Sequence, residues 1–310
     1  MRIISTIQLS DNILEKIKEM GDYFYIPRAE LSKENVQDVD ICIGNVPVTL
    51  VPEMKNIKWL QLDSAGSDQY AKLLPPEAIL TNGSGTFGAS IAEHILMVVL
   101  MAFRNMPFYS VSKPMHRYQR IIQNRLIQSS TFLILGTGDL GSEFAKRVKL
   151  LGGKTIGLKR VPVDFLENFD TIDTLDHLEK YLDQADVVVL TLPNHPSTTH
   201  IINKGTLSKM RKDTVLVNVG RGNAINENDL YQALVNQEIA CACLDVFEKE
   251  PLAQDSPLWD LENVIITPHV AGNYANTVTF ELFYKIVEEN IQHYIRKEPM
   301  RNLVNRNWGY

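Results

Sequence analysis

Gly136, Gly138 and Gly141 stand in the spacing G-x-G-x-x-G, directly after the apolar run "STFLILG" and at the start of an amphipathic pattern. In that setting the glycines allow a tight turn, close approach of the backbone to a pyrophosphate, and close packing of helix on strand. The residues between them, Thr137, Asp139 and Leu140, then open a helix whose free N–H groups and positive dipole end face the phosphates. Bare glycine spacing is also met in ordinary turns; the preceding strand and following helix make it a dinucleotide loop.

Lys159 lies 18 residues beyond Gly141, with Arg160 next to it, in "TIGLKRVP". An acidic residue at this distance takes the two ribose hydroxyls of NAD and repels a 2′-phosphate. A lysine and an arginine attract that phosphate instead, the guanidinium through paired charge-assisted hydrogen bonds. The pair therefore favours NADP over NAD as cofactor; the plainer alternative is two solvated loop cations.

Three later segments put polar residues at the C-terminal ends of predicted strands, where open parallel sheets bind ligands. They are "NVGRG" with Arg221, "LDVFEKEP" with Asp245, Glu248 and Glu250, and "ITPHVAG" with His269. A hydride acceptor with an adjacent carboxylate needs a cation to hold that carboxylate and an acid to protonate the carbonyl oxygen. Arg221 suits the first role and His269 the second. A carboxylate beside the histidine keeps it protonated for reduction. Glu250 is the candidate, with Glu248 and Asp245 as rivals that spacing does not rank.

The elements behind these residues read as parallel α/β architecture, with β-rich runs and helical patterns alternating. The alternation occurs twice. "RIISTI", "DICIGN", "IKWLQLDSAG" and "AILTNG" form a first series of strands. "STFLILG", "KTIGL", "DVVVLTLP", "TVLVNVG", "ACACLDVF" and "NVIITPH" form a second, apolar enough to be buried on both faces. The long apolar helix "GASIAEHILMVVLMAFRN" connects them, and "NTVTFELFYKIVEENIQHYIRK" returns the chain to the first domain. The expected fold is two Rossmann-like doubly wound parallel-sheet domains with an active-site cleft between them. Residues 1–98 plus 276–310 form the discontinuous substrate-binding domain, and 99–275 the dinucleotide-binding domain.

The bulk composition suits two folded domains. The chain has 310 residues, 45% hydrophobic and 22% charged, with a net charge of −6 that argues against a nucleic-acid partner. No apolar stretch precedes a cleavage site, and the run "ILMVVLMAF" is half the length needed to cross a bilayer, so the reading is cytoplasmic with no membrane span. Cys42, Cys241 and Cys243 are too few and too ill-spaced for a disulfide framework or zinc clip, and no metal site is expected.

Taken in order, "SAGSD" (64–68), "SIAEHILMVVLMAFR" (90–104), the glycine loop, "LPNHPSTTHIIN" (192–203) and the three polar segments resemble the D-isomer-specific 2-hydroxyacid dehydrogenases over nearly the whole chain. The resemblance implies that Arg221 binds the substrate's carboxylate and carbonyl, and that His269 is the acid in reduction and the base in oxidation. It matches Glu250, not Glu248, to the glutamate before proline, and Asp245 to the aspartate that contacts the nicotinamide carboxamide. Leu192, Pro193 and Val219 fall in loops beside the cofactor. Ala65 and Gly66 present backbone N–H groups to the substrate carboxylate. Lys159 and Arg160 look like the basic pair of NADP-dependent glyoxylate and hydroxypyruvate reductases. The implied activity is hydride transfer between NAD(P)H and a small 2-oxoacid to give a D-2-hydroxyacid, in a homodimer; the segment after Arg104 reads equally as an arm that packs on the partner and as a solvated connector. No room is left for the regulatory extension of long phosphoglycerate dehydrogenases. A phosphoglycerate or D-lactate dehydrogenase, or a non-catalytic NAD(P)-sensing binding protein on the same fold, is the alternative. A formate dehydrogenase is disfavoured because that group carries glutamine where Glu250 stands. His195 reads as an ordinary loop residue, His94 as a residue that positions its helix, and Tyr70 as pocket lining or core.

Overall fold

The structure, a computed structural model, describes residues 1–306 and 308. It contains two compact units, one formed by Met1–Phe87 with the segment from Tyr274 onward, the other by Gly88–Asn273.

The first unit is built on strands β1 (Arg2–Ser5), β2 (Asp22–Tyr25), β3 (Ile41–Ile43), β4 (Trp59–Gln61) and β5 (Ile79–Thr81), with helices α1 (Asp11–Met20), α2 (Lys33–Val36) and α3 (Asp68–Leu73). The strands are parallel in the order β2-β1-β3-β4-β5.

The second unit opens with α4 (Gly88–Phe103) and α5 (Met106–Ser112). Then come β6 (Thr131–Leu135), α6 (Asp139–Leu150), β7 (Lys154–Lys159), β8 (Thr171–Thr174) and β9 (Val187–Leu190). It is completed by α7 (Lys204–Leu207), β10 (Val215–Asn218), α8 (Glu227–Val235), β11 (Cys241–Leu244) and β12 (Val264–Ile266). Its seven parallel strands run β12-β11-β10-β9-β6-β7-β8, so the order reverses between β6 and β9. That reversal is where doubly wound sheets bind dinucleotides.

Helix α9 (Thr277–Arg296) then rejoins the first unit. Asn276 caps it by accepting from the Thr279 N–H at 2.9 Å. Its stripe of Phe283, Val287 and Ile291 packs on Ile3, Ile41, Ile43 and Trp59, while the alternate residues Ile4, Cys42 and Leu60 face a second core with Val36, Met54 and Leu74. Each such side chain buried contributes on the order of 1.5–3 kcal/mol. A buried polar chain fixes the docking: Trp59 Nε1 donates to Thr81 Oγ1 (2.8 Å), Thr81 to Gln61 Oε1 (2.7 Å), and Asn290 Nδ2 to the same oxygen (2.8 Å).

The first division falls at Phe87/Gly88, not at 98/99 as expected, because α4 packs as a whole along α6 and against β10 and β11. Its buried face carries Ile91, Ala92, Ile95, Val98, Val99 and Phe103. Among the described residues no single helix is long and apolar enough to cross a membrane; α4 and α5 together would be, but they are bent by 68°. Two strands lay outside the sequence expectation, β2 and β8, and each is one of the two edges of its sheet. Their residues, "DYFY" and "TIDT", are largely exposed or half-buried, so neither carries a continuous apolar run.

Candidate active site

The three glycines of the phosphate loop do three different things. Gly136 has a left-handed φ of 99°, which turns the chain out of β6, and a Cβ there would lie 2.6 Å from Thr191 Oγ1. At Gly141 a Cβ would sit 2.0 Å from the Gly136 carbonyl oxygen, so only glycine lets α6 pack this closely on the strand end. Around Gly138 a Cβ would have no atom within 4 Å. Its glycine is therefore not demanded by the protein's own packing; it leaves open space in front of the first N–H groups of α6, which have no intrahelical acceptors. The residues thus fit a bound pyrophosphate. The Asp139 carboxylate turns away toward the start of α4, where a Cβ on Gly88 would meet it at 2.5 Å.

Lys159 ends β7 opposite Thr174 of β8. Residues two apart on a strand share a face, and a Cβ on Gly157 would touch the Thr137 side chain at 2.7 Å. Lys159 therefore projects on the sheet face that carries the glycine loop, one step beyond it. The loop itself is tied to this strand by Gly136 N–H donating to Leu158 O at 2.8 Å. Lys159 is half-buried and has no ion-pair partner among the described residues; Arg160 is exposed.

The other polar segments follow the ends of β10, β11 and β12, which lie side by side. Asn218, fully buried, holds the Arg221 loop from both sides: its Nδ2 donates to Arg221 O (2.9 Å) and its Oδ1 accepts from Gly220 N–H (3.1 Å). Gly222 packs so tightly on the next loop that a Cβ would fall 1.8 Å from the Phe247 carbonyl carbon. His269 Nδ1 lies 2.7 Å from Glu250 Oε2, and Glu250 Oε1 accepts from Phe247 N–H at 3.1 Å. The rival Glu248 instead contacts His200 at 2.7 Å. With Nδ1 engaged by the carboxylate, the exposed His269 has Nε2 left as the ring nitrogen that can exchange a proton.

Asp245 follows directly on the end of β11. Its carboxylate is 2% exposed and takes Thr267 Oγ1–H (2.6 Å), Val270 N–H (2.9 Å) and Ala271 N–H (3.0 Å), all from the turn that bears His269. Leu192 and Val219 are buried beside the loop ends, and Pro193 O accepts from Thr198 Oγ1 at 2.8 Å.

In the first unit, the loop holding Ala65 and Gly66 follows β4. Asn82 Nδ2 donates to Ala65 O (3.1 Å) and Gly83 N–H to Ser64 O (2.8 Å), while a Cβ on Gly83 would meet Asp63 O at 2.6 Å. The N–H groups of Ala65 and Gly66 have no acceptor among the described residues and are available to a carboxylate. Beneath the loop, burial pushes the Asp63 carboxyl above its ordinary range, opposed by the Arg28 charge and the Asn45 backbone.

His195 Nδ1 stays within its own turn, 2.8 Å from Ser197 Oγ. Tyr70 is core, its hydroxyl donating to Val46 O at 2.7 Å. His94 does not serve its helix alone: its Nε2 is 3.2 Å from Thr267 Oγ1, and burial holds it below its ordinary value, with Asp245 opposing. Cys42, Cys241 and Cys243 are buried free thiols. Sequence reasoning missed Asn218 and Thr267. The signal for Asn218 was a lone amide ending the apolar strand "TVLVN", since a buried amide must have partners.

A glycine loop at the strand-order reversal, with an arginine, a histidine–glutamate pair and a buried aspartate at the neighbouring strand ends, defines a dinucleotide-dependent α/β protein. Residues 96–271 match the family described as D-isomer specific 2-hydroxyacid dehydrogenase, NAD binding domain. The chain belongs to the D-isomer specific 2-hydroxyacid dehydrogenase family. It is 34% identical over 284 residues to an uncharacterized protein of Corynebacterium melassecola, covering 89% of this chain and 92% of that one. It is 28% identical to a D-3-phosphoglycerate dehydrogenase of Methanocaldococcus jannaschii over 98% of this chain, but spans only 59% of that protein's length. Its fold is similar to the NADPH-dependent glyoxylate/hydroxypyruvate reductase of Sinorhizobium meliloti in complex with NADP and sulfate, with TM-score 0.84, 25% identity, and coverage of 100% of this chain and 99% of that one.

Proposed function

We propose that this protein is an NADPH-dependent reductase of small 2-oxoacids, of the glyoxylate or hydroxypyruvate type, that forms the D-2-hydroxyacid. The observation that carries the reading is the 2.7 Å pairing of His269 with Glu250 at the edge of the sheet whose glycine loop is open in front of Gly138. The similarity to the Sinorhizobium meliloti reductase supports the substrate class.

When bound at the glycine loop, NADPH would supply the hydride that the keto carbon accepts. Arg221 holds the substrate carboxylate and polarises the carbonyl. His269, protonated and steadied through Nδ1 by Glu250, gives its Nε2 proton to the carbonyl oxygen as negative charge develops there. In the reverse direction the same nitrogen takes the hydroxyl proton. Gly136–Gly141 would cradle the pyrophosphate, with Leu192, Pro193 and Val219 alongside, and Lys159 and Arg160 would hold the 2′-phosphate.

The reading extends to a homodimer and a cytoplasmic location. The segment after α5 exposes Tyr118 (93%) and Ile122 (88%), which suits cover by a second copy, and three buried free thiols suit a reducing compartment.

The test is initial-rate reduction of glyoxylate, hydroxypyruvate and longer 2-oxoacids with NADPH, for the wild type, His269→Gln and Glu250→Gln. We expect roughly a thousandfold loss of kcat for the first, within the 10²–10⁴-fold range of general acid catalysis, and a smaller loss for the second. Cofactor affinity should be retained in both. Wild-type binding of NADPH without turnover of any 2-oxoacid would replace the reductase reading with that of a nucleotide-sensing protein.

A further inference from the structure

His269 sits in a backbone conformation that a histidine rarely adopts, with φ at 53°. Such a residue keeps its place only where the surroundings over-determine it. Here the turn from Thr267 to Ala271 is held on one side by Asp245: its carboxylate takes three donors from the turn, and its carbonyl accepts His269 N–H at 2.8 Å.

The other side of the turn is held by α4. Ser90 Oγ donates to Ala271 O at 3.1 Å, and four residues on, His94 Nε2 meets Thr267 Oγ1 at 3.2 Å. Residues at i and i+4 lie above one another on one helix face, so the two side chains grip the two ends of the turn. The direction of the hydrogen bonds follows from valence. An ionised carboxylate only accepts, so the Thr267 hydroxyl gives its hydrogen to Asp245 Oδ1. The Thr267 oxygen must then accept from His94, which fixes the proton on Nε2.

We infer that α4 is a splint for the proton-transferring histidine: Ser90 and His94, acting through Thr267 and Asp245, are positioning residues that set the turn on which His269 stands. This gives the "S-I-A-E-H" stretch and Asp245 a role that neither packing nor cofactor contact supplies. The inference rests on His269 being the general acid, but the turn itself can be tested apart from turnover.

The experiment compares Thr267→Val, Thr267→Ser, His94→Leu, His94→Gln and the double variant Thr267→Val/His94→Leu. Three quantities are read: amide exchange of the peptide spanning 267–273, NADPH affinity by fluorescence, and kcat with glyoxylate. Thr267→Val is nearly isosteric and removes only the relay hydroxyl, so the fold should survive. We expect amide exchange in the turn to rise at least tenfold in Thr267→Val and His94→Leu, kcat to fall ten- to a hundredfold, and NADPH affinity to stay within twofold. Thr267→Ser and His94→Gln, which keep the hydroxyl and a donor at the Nε2 position, should restore most of the protection and rate. The double variant should be no worse than Thr267→Val, because both changes cut one chain. Unchanged exchange in Thr267→Val and His94→Leu would overturn the splint whatever the rates, as would additive losses in the double variant. Raised exchange in a protein whose wild type turns over no 2-oxoacid would leave the splint standing and remove the reductase reading instead.

Discussion

Charge reversal at Lys159 measures how the cofactor is chosen. The side chain leaves the end of β7 on the face that bears the glycine loop, half-buried and with no carboxylate partner among the described residues. A hydrogen bond to a charged group contributes about 1.5–3 kcal/mol. Partial exposure and screening over about 8 Å at physiological salt put Lys159 near the lower figure. At about 1.4 kcal/mol per decade, its removal in Lys159→Ala should weaken NADPH about tenfold. Lys159→Asp replaces the attraction with a repulsion of similar size, so the NADPH/NADH ratio of kcat/KM should fall by about a hundredfold. NADH should be affected within a few-fold or improved, because a carboxylate at this strand end can accept the ribose hydroxyls. The assay is kcat/KM for both cofactors at saturating 2-oxoacid and two salt concentrations, the wild-type preference shrinking at the higher one. An unchanged ratio in Lys159→Asp, with an unchanged melting temperature, would show that Lys159 faces water and that the 2′-phosphate is not read at this strand end.

The glycine loop offers a paired test. Gly138→Ala adds a methyl into open space and should leave Tm unchanged while weakening cofactor binding tenfold or more; Gly141→Ala drives a methyl to 2.0 Å from a backbone oxygen and should lower Tm as well. Equal effects of the two on Tm, measured by thermal unfolding without cofactor, would refute the division of labour. Asp63 supplies a pH test. Its folded carboxyl titrates above the ordinary 3.8, so between those two values the native state holds more protons than the unfolded one and stability falls as pH rises. Asp63→Asn should therefore flatten the decline in Tm above pH 3.8 and be the more stable protein at pH 7. Parallel Tm curves from about pH 3.5 to about pH 7.5 would count against burial as the cause.

What the sequence made legible divides along physical lines. Central strands β9, β10 and β11 are buried along their whole length and announce themselves as apolar runs, whereas β2 and β8 bury no side chain fully and are held by main-chain pairing to one neighbour. A pairing through the backbone leaves no side-chain signature. The boundary at Gly88 was hidden for a related reason: apolarity says that α4 is buried but not against which unit, and only its packing on α6 decides that.

The site shows the same division. Arg221, Glu250 and His269 stood out as candidates because cations and acids at strand ends have few structural excuses. Residues that hold them in place are buried amides, hydroxyls and a carboxylate, whose types are common in loops and whose meaning comes from direction. Asp245 illustrates this best. Spacing made it a rival to Glu250 and resemblance gave it to the nicotinamide, and neither signals that its carboxylate, 2% exposed, takes three donors from one turn. A buried anion satisfied in this way is costly to disturb. The same three bonds tie it to the turn that carries His269, and that connection is visible only once the direction of each bond is known.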